Sequence, residues 1–333
     1  MRKIKVAING FGRIGRVLYR VLHHSEAVEV VAINDLTDSR TLAHLLKYDS
    51  VHRQFPDNVS FDKDHIIVGP KKIKILSAKD PSLLPWKEMD IDVVVESTGH
   101  FLDRASAEKH LIAGAKKVIL SAPPNDDIKA VVLGVNDHII SQKDTIISNA
   151  SCTTNCAAPM IKVLEQWGIE DAYISTVHSY TGDQRLHDAP HKDLRRARAA
   201  AMSIVPTSTG AAKAITKIFP ELEGKIGGCG MRVPVPDGSL TDITCVLKSY
   251  PTVKEINAAF KLASETDLKG ILEYTEDPLV SSDIIGNPYS CVFDADFTSI
   301  VGNMVKVIGW YDNEMGYSTR LAELIVKVGL SFL

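Results

Sequence analysis

The chain has 333 residues, of which 45% are hydrophobic and 24% charged, and its formal net charge is −3. At roughly 150 residues per domain, this predicts two globular domains and excludes a disordered or collagen-like chain. The near balance of charge gives no general attraction to nucleic acid or to an anionic membrane, so any anion binding must be local.

Three features of the sequence favour a cytoplasmic location. The basic N-terminus has an apolar run that stops at Asn9 and Gly10, before it reaches the length of a secretion signal. No stretch reaches the roughly 18 uncharged apolar residues that a membrane span needs. The five cysteines are odd in number and mostly far apart, which fits neither a disulfide framework nor paired zinc sites. We expect a soluble, cytoplasmic protein with no bound metal.

The first 150 residues alternate short β-rich runs with helical patterns. Strands are predicted at residues 3–9, 29–34, 92–97, 117–121, 130–134 and 145–149. Helices are predicted at residues 13–23, 40–48 and 104–113. Such alternation is typical of βαβ units, so we expect an α/β fold in which a doubly wound parallel sheet occupies this half.

The first strand-to-helix turn carries the string Gly10-Phe11-Gly12-Arg13-Ile14-Gly15. In a GxGxxG turn the glycines permit a tight turn, close approach of a pyrophosphate and close packing of helix on strand. Asp35 ends the next strand, where its carboxylate can accept hydrogen bonds from both ribose hydroxyls and would repel a 2′-phosphate. The pattern predicts a dinucleotide site that favours NAD over NADP. The alternative is a glycine-rich turn and a solvated acid with no ligand.

After residue 151 the strand-like runs become longer and are separated by irregular segments that contain glycine and proline. Strands at 172–179, 241–247 and 306–311 favour an α+β domain with a largely antiparallel sheet. Residues 314–328 place Leu321, Leu324, Ile325 and Val328 on one helical face, which predicts a docked terminal helix. We expect domains at 1–150 and 151–313, followed by a C-terminal helix within 314–333.

The junction of the two halves carries the string Ser148-Asn149-Ala150-Ser151-Cys152-Thr153-Thr154-Asn155-Cys156. It joins a predicted strand to a predicted helix, with Cys152 near the helix start. A thiol there meets unpaired N–H groups and the positive end of the helix dipole, which both stabilise the thiolate. Cys152 is therefore a candidate nucleophile. For Cys156, one turn further along, a buried apolar role is the better prediction.

Taken together, these strings resemble phosphorylating glyceraldehyde-3-phosphate dehydrogenase of the bacterial type. The resemblance runs nearly end to end and includes Asn34-Asp35, Ser97-Thr98-Gly99 and Trp310-Tyr311-Asp312-Asn313-Glu314. It implies an N-terminal Rossmann domain that binds NAD, a catalytic domain, a C-terminal helix that packs back on the first domain, and a homotetramer. It also implies oxidation of glyceraldehyde 3-phosphate with inorganic phosphate, through a thiohemiacetal and a thioester of Cys152.

The resemblance assigns roles to single residues. It implies that His178 is the catalytic base and that its imidazolium lowers the pKa of the Cys152 thiol. Arg232 and Thr181 are implied to bind the substrate's C3 phosphate. The implied site for the attacking phosphate consists of Ser151, Thr153, Thr209 and Gly210. The implied cofactor residues are Gly10, Gly12, Arg13, Ile14, Gly15, Asp35, Ser97, Thr98, Gly99, Ser121, Asn313 and Tyr317.

Some residues keep a second interpretation. Ser151 and Thr153 can serve as helix caps, and a lone histidine at a strand end, such as His178, is more often structural. For the basic run at 192–198, the resemblance implies buried interface ion pairs rather than contacts with nucleic acid. No role is assigned to Asp183 or Cys229.

Other functions are weighed against this one. Erythrose-4-phosphate dehydrogenase shares the cysteine string and the glycine turn, but its members tend to lose the pattern that contains Thr181. A silent NAD-binding regulator, an RNA-binding protein or a cysteine hydrolase would leave catalytic residues or the dinucleotide turn without a use. Ala189 precedes Pro190 where NAD-preferring relatives more often have leucine, so some use of NADP stays open.

Overall fold

The computed structural model describes residues 2–330, which form two compact units. The first unit comprises the chain up to Val131, His138–Ala150 and the chain from Ser318 onward. The second comprises Val132–Asp137 and Ser151–Tyr317. Each unit is built around its own large β-sheet.

The first unit contains an eight-stranded sheet, a two-stranded ribbon and helices. Its strands are β1 (Ile4–Asn9), β2 (Val28–Asn34), β3 (Tyr48–Asp49), β4 (Arg53–Gln54), β5 (Val59–Phe61), β6 (His65–Val68), β7 (Lys71–Leu76), β8 (Val93–Glu96), β9 (Lys117–Leu120) and β10 (Ile146–Ser148). Its helices are α1 (Arg13–Leu22), α2 (Ser39–Lys47) and α3 (Arg104–Ile112).

The strand order of the large sheet is β10-β9-β8-β1-β2-β7-β6-β5. The strands from β10 to β7 run parallel, and the last two pairs are antiparallel. Strands β8 and β9 are fully buried and, apart from Glu96 and Lys117, apolar, as expected where helices or loops cover both faces of a parallel sheet. The predicted parallel sheet is confirmed, with an antiparallel edge that the sequence analysis did not foresee.

The strand predicted at 130–134 is wrong. An isolated bridge pairs Ala130 with Ser148, and the chain then turns. The N–H of Val132 donates to the side chain of Asn136 at 2.7 Å, so this backbone group is satisfied by a local turn rather than by a sheet. Gly134 follows with a φ of 77°, a left-handed conformation that ends any extended run.

The second unit contains a seven-stranded sheet covered by helices. Its strands are β11 (Ile169–Ser179), β12 (Val205–Thr207), β13 (Ile226–Val233), β14 (Ser239–Leu247), β15 (Leu272–Thr275), β16 (Cys291–Val301) and β17 (Met304–Tyr311). Its helices are α4 (Cys152–Leu164), α5 (Ala211–Ile218) and α6 (Val253–Glu265).

The strand order here is β12-β13-β11-β14-β17-β16-β15. Four of the neighbouring pairs are antiparallel, while β11 with β13 and β15 with β16 run parallel. The predicted largely antiparallel sheet is confirmed. The parallel pairing of β11 with β13 brings His178 opposite Arg232.

The last helix, α7 (Met315–Gly329), confirms the predicted terminal helix. Its predicted apolar face, Leu321, Leu324, Ile325 and Val328, is buried. A side chain at Gly329 would overlap Ile4 of β1, so the end of this helix lies directly against the sheet of the first unit. Within residues 2–330, no helix is both long enough and apolar enough to cross a membrane.

Candidate functional site

A cleft of about 370 Å³ lies in the first unit at the carboxyl ends of β1, β2 and β8. Ligands of doubly wound sheets bind at this edge. The cleft is lined by Asn9, Gly10, Gly12, Asn34, Asp35, Leu36, Ala78, Lys79, Ser97, Thr98, His100 and Phe101. Five predicted cofactor residues are in this lining, namely Gly10, Gly12, Asp35, Ser97 and Thr98.

The glycine turn leaves room where a dinucleotide needs it. Gly10 has a φ of 91°, and a Cβ there would lie 2.7 Å from the backbone nitrogen of Thr98, so only glycine fits. A Cβ on Gly15 would overlap the carbonyl oxygen of Gly10. Gly12 caps the N-terminus of α1 and has open space beside it, which leaves this helix end accessible to a phosphate.

Asp35 is fixed against the glycine turn. Its Oδ2 accepts from the N–H of Phe11 at 2.8 Å, and its Oδ1 accepts from the N–H of Thr37 at 2.9 Å. A carboxylate oxygen has two acceptor sites, so each oxygen keeps one for a further donor such as a ribose hydroxyl. Two backbone N–H groups therefore fix the orientation of the Asp35 carboxylate in the wall of the cleft.

Other predicted cofactor residues lie outside this lining. The Arg13 guanidinium pairs with Asp49 through two hydrogen bonds of 2.7 and 3.1 Å. Ile14, Gly15, Gly99 and Ser121 belong to the first unit but do not line the cleft. Lys79 does line it and was missed, because it follows β7, an interior strand that the sequence pattern did not reveal.

Asn313 and Tyr317 belong to the second unit. The Asn313 Oδ1 accepts from the hydroxyls of Ser179 and Ser239 at 2.8 and 2.7 Å, which fixes the orientation of the amide. Tyr317 lies in the first turn of α7 and is buried.

The candidate nucleophile lies at the start of α4. Cys152 is the first helical residue, and the Ser151 hydroxyl caps the helix by accepting from the N–H of Thr154 at 3.0 Å. The capping interpretation of Ser151 is therefore confirmed. The Thr153 hydroxyl is buried and lies 2.9 Å from the hydroxyl of Tyr311, a contact that uses one of its hydrogen-bonding sites.

His178, at the end of β11, lies beside this thiol. Its Nε2 is 3.4 Å from the Cys152 Sγ, and its Nδ1 is 2.8 Å from the carbonyl oxygen of Ser179. The carbonyl can only accept, whereas the Nη1 of Arg232, 3.0 Å from the same Nδ1, can only donate. Because that Nη1 directs its two hydrogens to the Ser179 carbonyl and the Thr181 hydroxyl, we assign the ring proton of the neutral imidazole to Nδ1. The lone pair of Nε2 therefore faces the thiol, which is the arrangement that a general base requires.

Arg232 places a positive charge on the far side of the imidazole. Its Nη1 lies 3.0 Å from the His178 Nδ1 and donates to the Ser179 carbonyl and to the Thr181 hydroxyl, both at 3.1 Å. The guanidinium and the Thr181 side chain thus form one polar group beside the candidate base, in which the guanidinium supplies N–H donors suited to an oxyanion.

Burial disfavours charge on Cys152 or His178 taken singly. It raises the pKa of the Cys152 thiol to about 11, although the Arg232 charge and the N–H of Thr153 oppose this shift. Burial and then the Arg232 charge lower the pKa of His178 to about 3. Burial therefore opposes the lowering of the thiol pKa that is expected from the helix N-terminus. Proton transfer from Sγ to Nε2 creates opposite charges 3.4 Å apart, whose attraction opposes burial, so the two groups titrate as a pair.

Two charged residues complete this side of the site, and the sequence analysis gave them no role there. Asp183 accepts hydrogen bonds from the Thr181 hydroxyl and from Arg196. Arg196 also donates through Nε and Nη2 to the hydroxyl of Thr207, at 3.1 and 2.6 Å. Arg196 belongs to the basic run that was expected to form buried interface ion pairs. Within the chain its ion pairs, with Asp183 and Asp193, are local and partly exposed, and the interface contacts stay a prediction.

Thr209 and Gly210 lie at the N-terminus of α5. Gly210 is the N-cap, and the Thr209 hydroxyl accepts from the N–H of Ala211 at 3.2 Å. Within residues 2–330, no hydrogen bond joins either residue to Cys152, His178 or Arg232. The structure thus groups Cys152, His178, Arg232 and Thr181. Of the residues predicted for the second phosphate site, Ser151 and Thr153 lie at the start of α4 with Cys152, and Thr209 and Gly210 lie at the start of α5.

Known proteins resemble the whole chain. Family models of glyceraldehyde 3-phosphate dehydrogenase match at residues 4–104 for the NAD binding domain and at 151–313 for the C-terminal domain. The glyceraldehyde-3-phosphate dehydrogenase of Mycobacterium avium is 55% identical over 336 residues, which covers 98% of this chain and 99% of that protein. The enzyme of Mycolicibacterium smegmatis is also 55% identical with the same coverage. Glyceraldehyde-3-phosphate dehydrogenase 2 of Streptomyces avermitilis is 54% identical over 98% of both chains.

Proposed function

The chain belongs to the glyceraldehyde 3-phosphate dehydrogenase family, and we propose that Cys152 and His178 carry out its reaction. The enzyme is an NAD-dependent oxidoreductase that converts glyceraldehyde 3-phosphate and inorganic phosphate to 1,3-bisphosphoglycerate in glycolysis. The observation that carries the assignment of residues is the 3.4 Å distance between Cys152 Sγ and His178 Nε2 at the start of α4.

The first covalent step joins the Cys152 sulfur to the aldehyde carbon. As the bond forms, the thiol proton passes to the Nε2 of His178 and then to the new oxyanion, which gives a thiohemiacetal. The N–H groups of the first turn of α4 have no partner within the helix, so the Cys152 N–H can donate to that oxyanion. The nucleophile and the oxyanion donor lie on α4 and the base lies on β11, and this arrangement supports the proposed roles.

Oxidation of the thiohemiacetal leaves a thioester on Cys152. Bound NAD supplies the acceptor for the hydride of this step. His178 removes the hydroxyl proton through Nε2, and the hydrogen bond from Nδ1 to Ser179 keeps the ring in the required orientation. A phosphate oxygen then attacks the thioester carbon and its proton is released to solvent. The bond between that carbon and the Cys152 sulfur breaks, the acyl phosphate leaves, and the sulfur takes back the proton held on the His178 Nε2.

The first-unit cleft fits the dinucleotide. The open space at Gly12, at the N-terminus of α1, suits a pyrophosphate, and the backbone-held Asp35 suits the adenosine ribose. We assign the remaining predicted residues, Arg13, Ile14, Gly15, Ser97, Thr98, Gly99, Ser121, Asn313 and Tyr317, to cofactor binding on the family resemblance. Ser151, Thr153, Thr209 and Gly210 are likewise assigned to the attacking phosphate, and Arg232 and Thr181 to the substrate phosphate.

One assay tests this function. The purified protein is mixed with NAD, glyceraldehyde 3-phosphate and phosphate, and NADH formation is followed while each component is omitted in turn. We expect turnover to require all three. Faster turnover with erythrose 4-phosphate would instead support the erythrose-4-phosphate dehydrogenase alternative, and no NADH with either aldehyde would contradict the enzymatic function.

Replacing Arg232 with leucine tests the substrate-phosphate assignment. We expect the KM for glyceraldehyde 3-phosphate to rise by about 100-fold or more, since hydrogen bonds to a charged group are worth roughly 1.5–3 kcal/mol each. Oxidation of unphosphorylated glyceraldehyde should fall far less. Steady-state rates with the two aldehydes measure this difference, and equal losses with both would contradict a phosphate-binding role.

Replacing Asp35 with glycine tests the cofactor preference. The change removes an acceptor for the ribose hydroxyls and a charge that repels a 2′-phosphate, so we expect weaker use of NAD and a ratio of NAD to NADP efficiency about tenfold lower. The values of kcat/KM for both cofactors measure it. An unchanged ratio would place selectivity elsewhere, and the loop at Ala189 and Pro190 would then be examined first.

We also propose that the protein is a cytoplasmic homotetramer. The argument for assembly is a set of exposed apolar side chains on strands of the second unit, which are Tyr173, Phe297, Val301 and Met304. The argument for the cytoplasm is that all five cysteines are free, which suits a reducing compartment. Light scattering of the purified protein measures the assembly, and a monomeric mass would contradict it.

A further inference from the structure

Three polar side chains form a row beneath the dinucleotide cleft. Asn34, Asn9 and Glu96 are register partners at the carboxyl ends of three adjacent strands, β2, β1 and β8. The Asn34 Nδ2 donates to the Asn9 Oδ1 at 2.7 Å, and the Asn9 Nδ2 donates to the Glu96 Oε2 at 2.5 Å. All three residues are at most 5% exposed, so the row is a buried hydrogen-bonded chain across the sheet.

Glu96 ends this row as a buried carboxylate with four hydrogen bonds. Its Oε2 accepts from Asn9 and from the Nε2 of His110, the latter at 3.1 Å. Its Oε1 accepts from the N–H of Thr98 at 2.8 Å and from the hydroxyl of Thr98. Burying a carboxylate is costly unless its oxygens are hydrogen-bonded, and here both oxygens have two donors.

Trp86 fixes the donor that His110 offers to Glu96. The indole Nε1 donates to the His110 Nδ1 at 3.0 Å, and an indole N–H cannot accept. The ring proton of a neutral His110 therefore lies on Nε2, which faces the Glu96 carboxylate. Trp86, His110 and Glu96 are each 0% exposed, so this chain is a fixed support behind the cleft.

The row also holds the cleft walls together. Asn9, Asn34 and Thr98 all line the cleft. The Asn34 amide forms hydrogen bonds with both the carbonyl and the N–H of Ala78, at 2.9 and 2.8 Å. These bonds fix the backbone of Ala78, which also lines the cleft. The absence of a side chain at Gly10 lets the Thr98 backbone that Glu96 holds lie against the glycine turn.

We propose that Glu96, supported by His110 and Trp86, is a positioning residue for NAD. It holds Asn9 and the turn at Ser97–Gly99 in the conformation that receives the dinucleotide, and it takes no part in the chemistry at Cys152. The proposal rests on the assignment of NAD to this cleft.

Glu96→Gln tests the proposal with little change in shape. The glutamine amide puts an N–H donor where one carboxylate oxygen accepted, so it faces either the Thr98 N–H or the donors of Asn9 and His110. Unpaired buried groups of this kind are costly, and we expect the Kd of NAD, measured by calorimetry, to rise at least about tenfold. The KM for NAD should rise with it, while kcat at saturating NAD and the KM for glyceraldehyde 3-phosphate stay within about twofold.

Asp92→Asn is the matched control. Asp92 is a buried carboxylate just before the other end of β8, and it accepts from Arg2, Lys116 and the N–H of Lys5 at 2.7, 2.6 and 2.9 Å. We expect both variants to lower the melting temperature but only Glu96→Gln to weaken NAD binding. Equal changes in the two Kd values, or none in Glu96→Gln, would overturn the proposal.

A second variant decides the matter if Glu96→Gln does not fold. Trp86→Phe removes the indole donor and releases the His110 tautomer, so the Kd of NAD should again rise without a change in the KM for the aldehyde. An unchanged Kd in Trp86→Phe would overturn the positioning role. Failure of the unaltered protein to bind NAD would contradict the proposed function itself, a result that this experiment distinguishes from failure of the Glu96 proposal.

Discussion

Replacing Cys152 with serine is expected to lower the oxidation of glyceraldehyde 3-phosphate by about 10⁴-fold or more while NAD still binds. A serine hydroxyl is far less acidic than a thiol and is a weaker nucleophile. The substitution leaves the cap at Ser151 and the backbone of α4 in place, so the effect falls on the covalent steps. NADH formation and calorimetric binding of NAD measure the two parts of this prediction.

Cys156→Ser supplies the matched control. Cys156 is buried one turn further along α4, where its Sγ lies 3.6 Å from the carbonyl oxygen of Gly309. We expect this variant to retain most of the activity. In the unaltered protein, mild alkylation should modify Cys152 before Cys156, and peptide mapping that found Cys229 most reactive would contradict the argument. Turnover that persisted in Cys152→Ser would remove Cys152 from the mechanism.

Replacing His178 with asparagine is expected to slow both halves of the reaction by about 10²- to 10⁴-fold, the usual range for a general acid or base. An asparagine amide can donate a hydrogen bond but cannot take the Cys152 proton at neutral pH. Because burial already raises the pKa of the thiol, loss of the proton acceptor 3.4 Å away should raise that pKa further. Alkylation of Cys152 should therefore shift to higher pH.

Two measurements separate the roles of His178. The pH dependence of Cys152 alkylation reports the thiolate, and single-turnover NADH formation reports the oxidation step. If alkylation is unchanged while oxidation slows, His178 acts as a base only. If neither changes, the assignment is wrong and α4 alone must activate the thiol. Asparagine at the exposed His187 is the control, which should change neither signal.

The dinucleotide cleft could be predicted because its signals are local. A strand, a glycine turn, a helix and an acid after the next strand follow one another within Ile4–Asp35, and the structure keeps that order. Helix α4 was predicted for the same reason, since Ser151 and Cys152 occupy neighbouring positions at its start. Where a short stretch of chain determines its own conformation, the periodicity of its apolar residues and its turn residues are sufficient to predict that conformation.

Contacts that depend on register could not be predicted in this way. His178 and Arg232 are 54 positions apart in sequence and meet because β11 and β13 are paired in parallel. The ion pair of Asp183 with Arg196 depends on the path of an irregular loop. The strand predicted at 130–134 failed because the side chain of Asn136 offers the backbone a local partner. Each case turns on a partner that the pattern of apolar residues does not specify.

The most direct test of the mechanism follows the acyl enzyme. The protein is mixed with NAD and glyceraldehyde 3-phosphate in the absence of phosphate, quenched, digested and mapped by mass spectrometry. We expect a burst of NADH equal to the number of active sites, an acyl group on the peptide that carries Cys152, and loss of that group when phosphate is added. Continued turnover at the full rate without phosphate, or an acyl group on another cysteine, would contradict it.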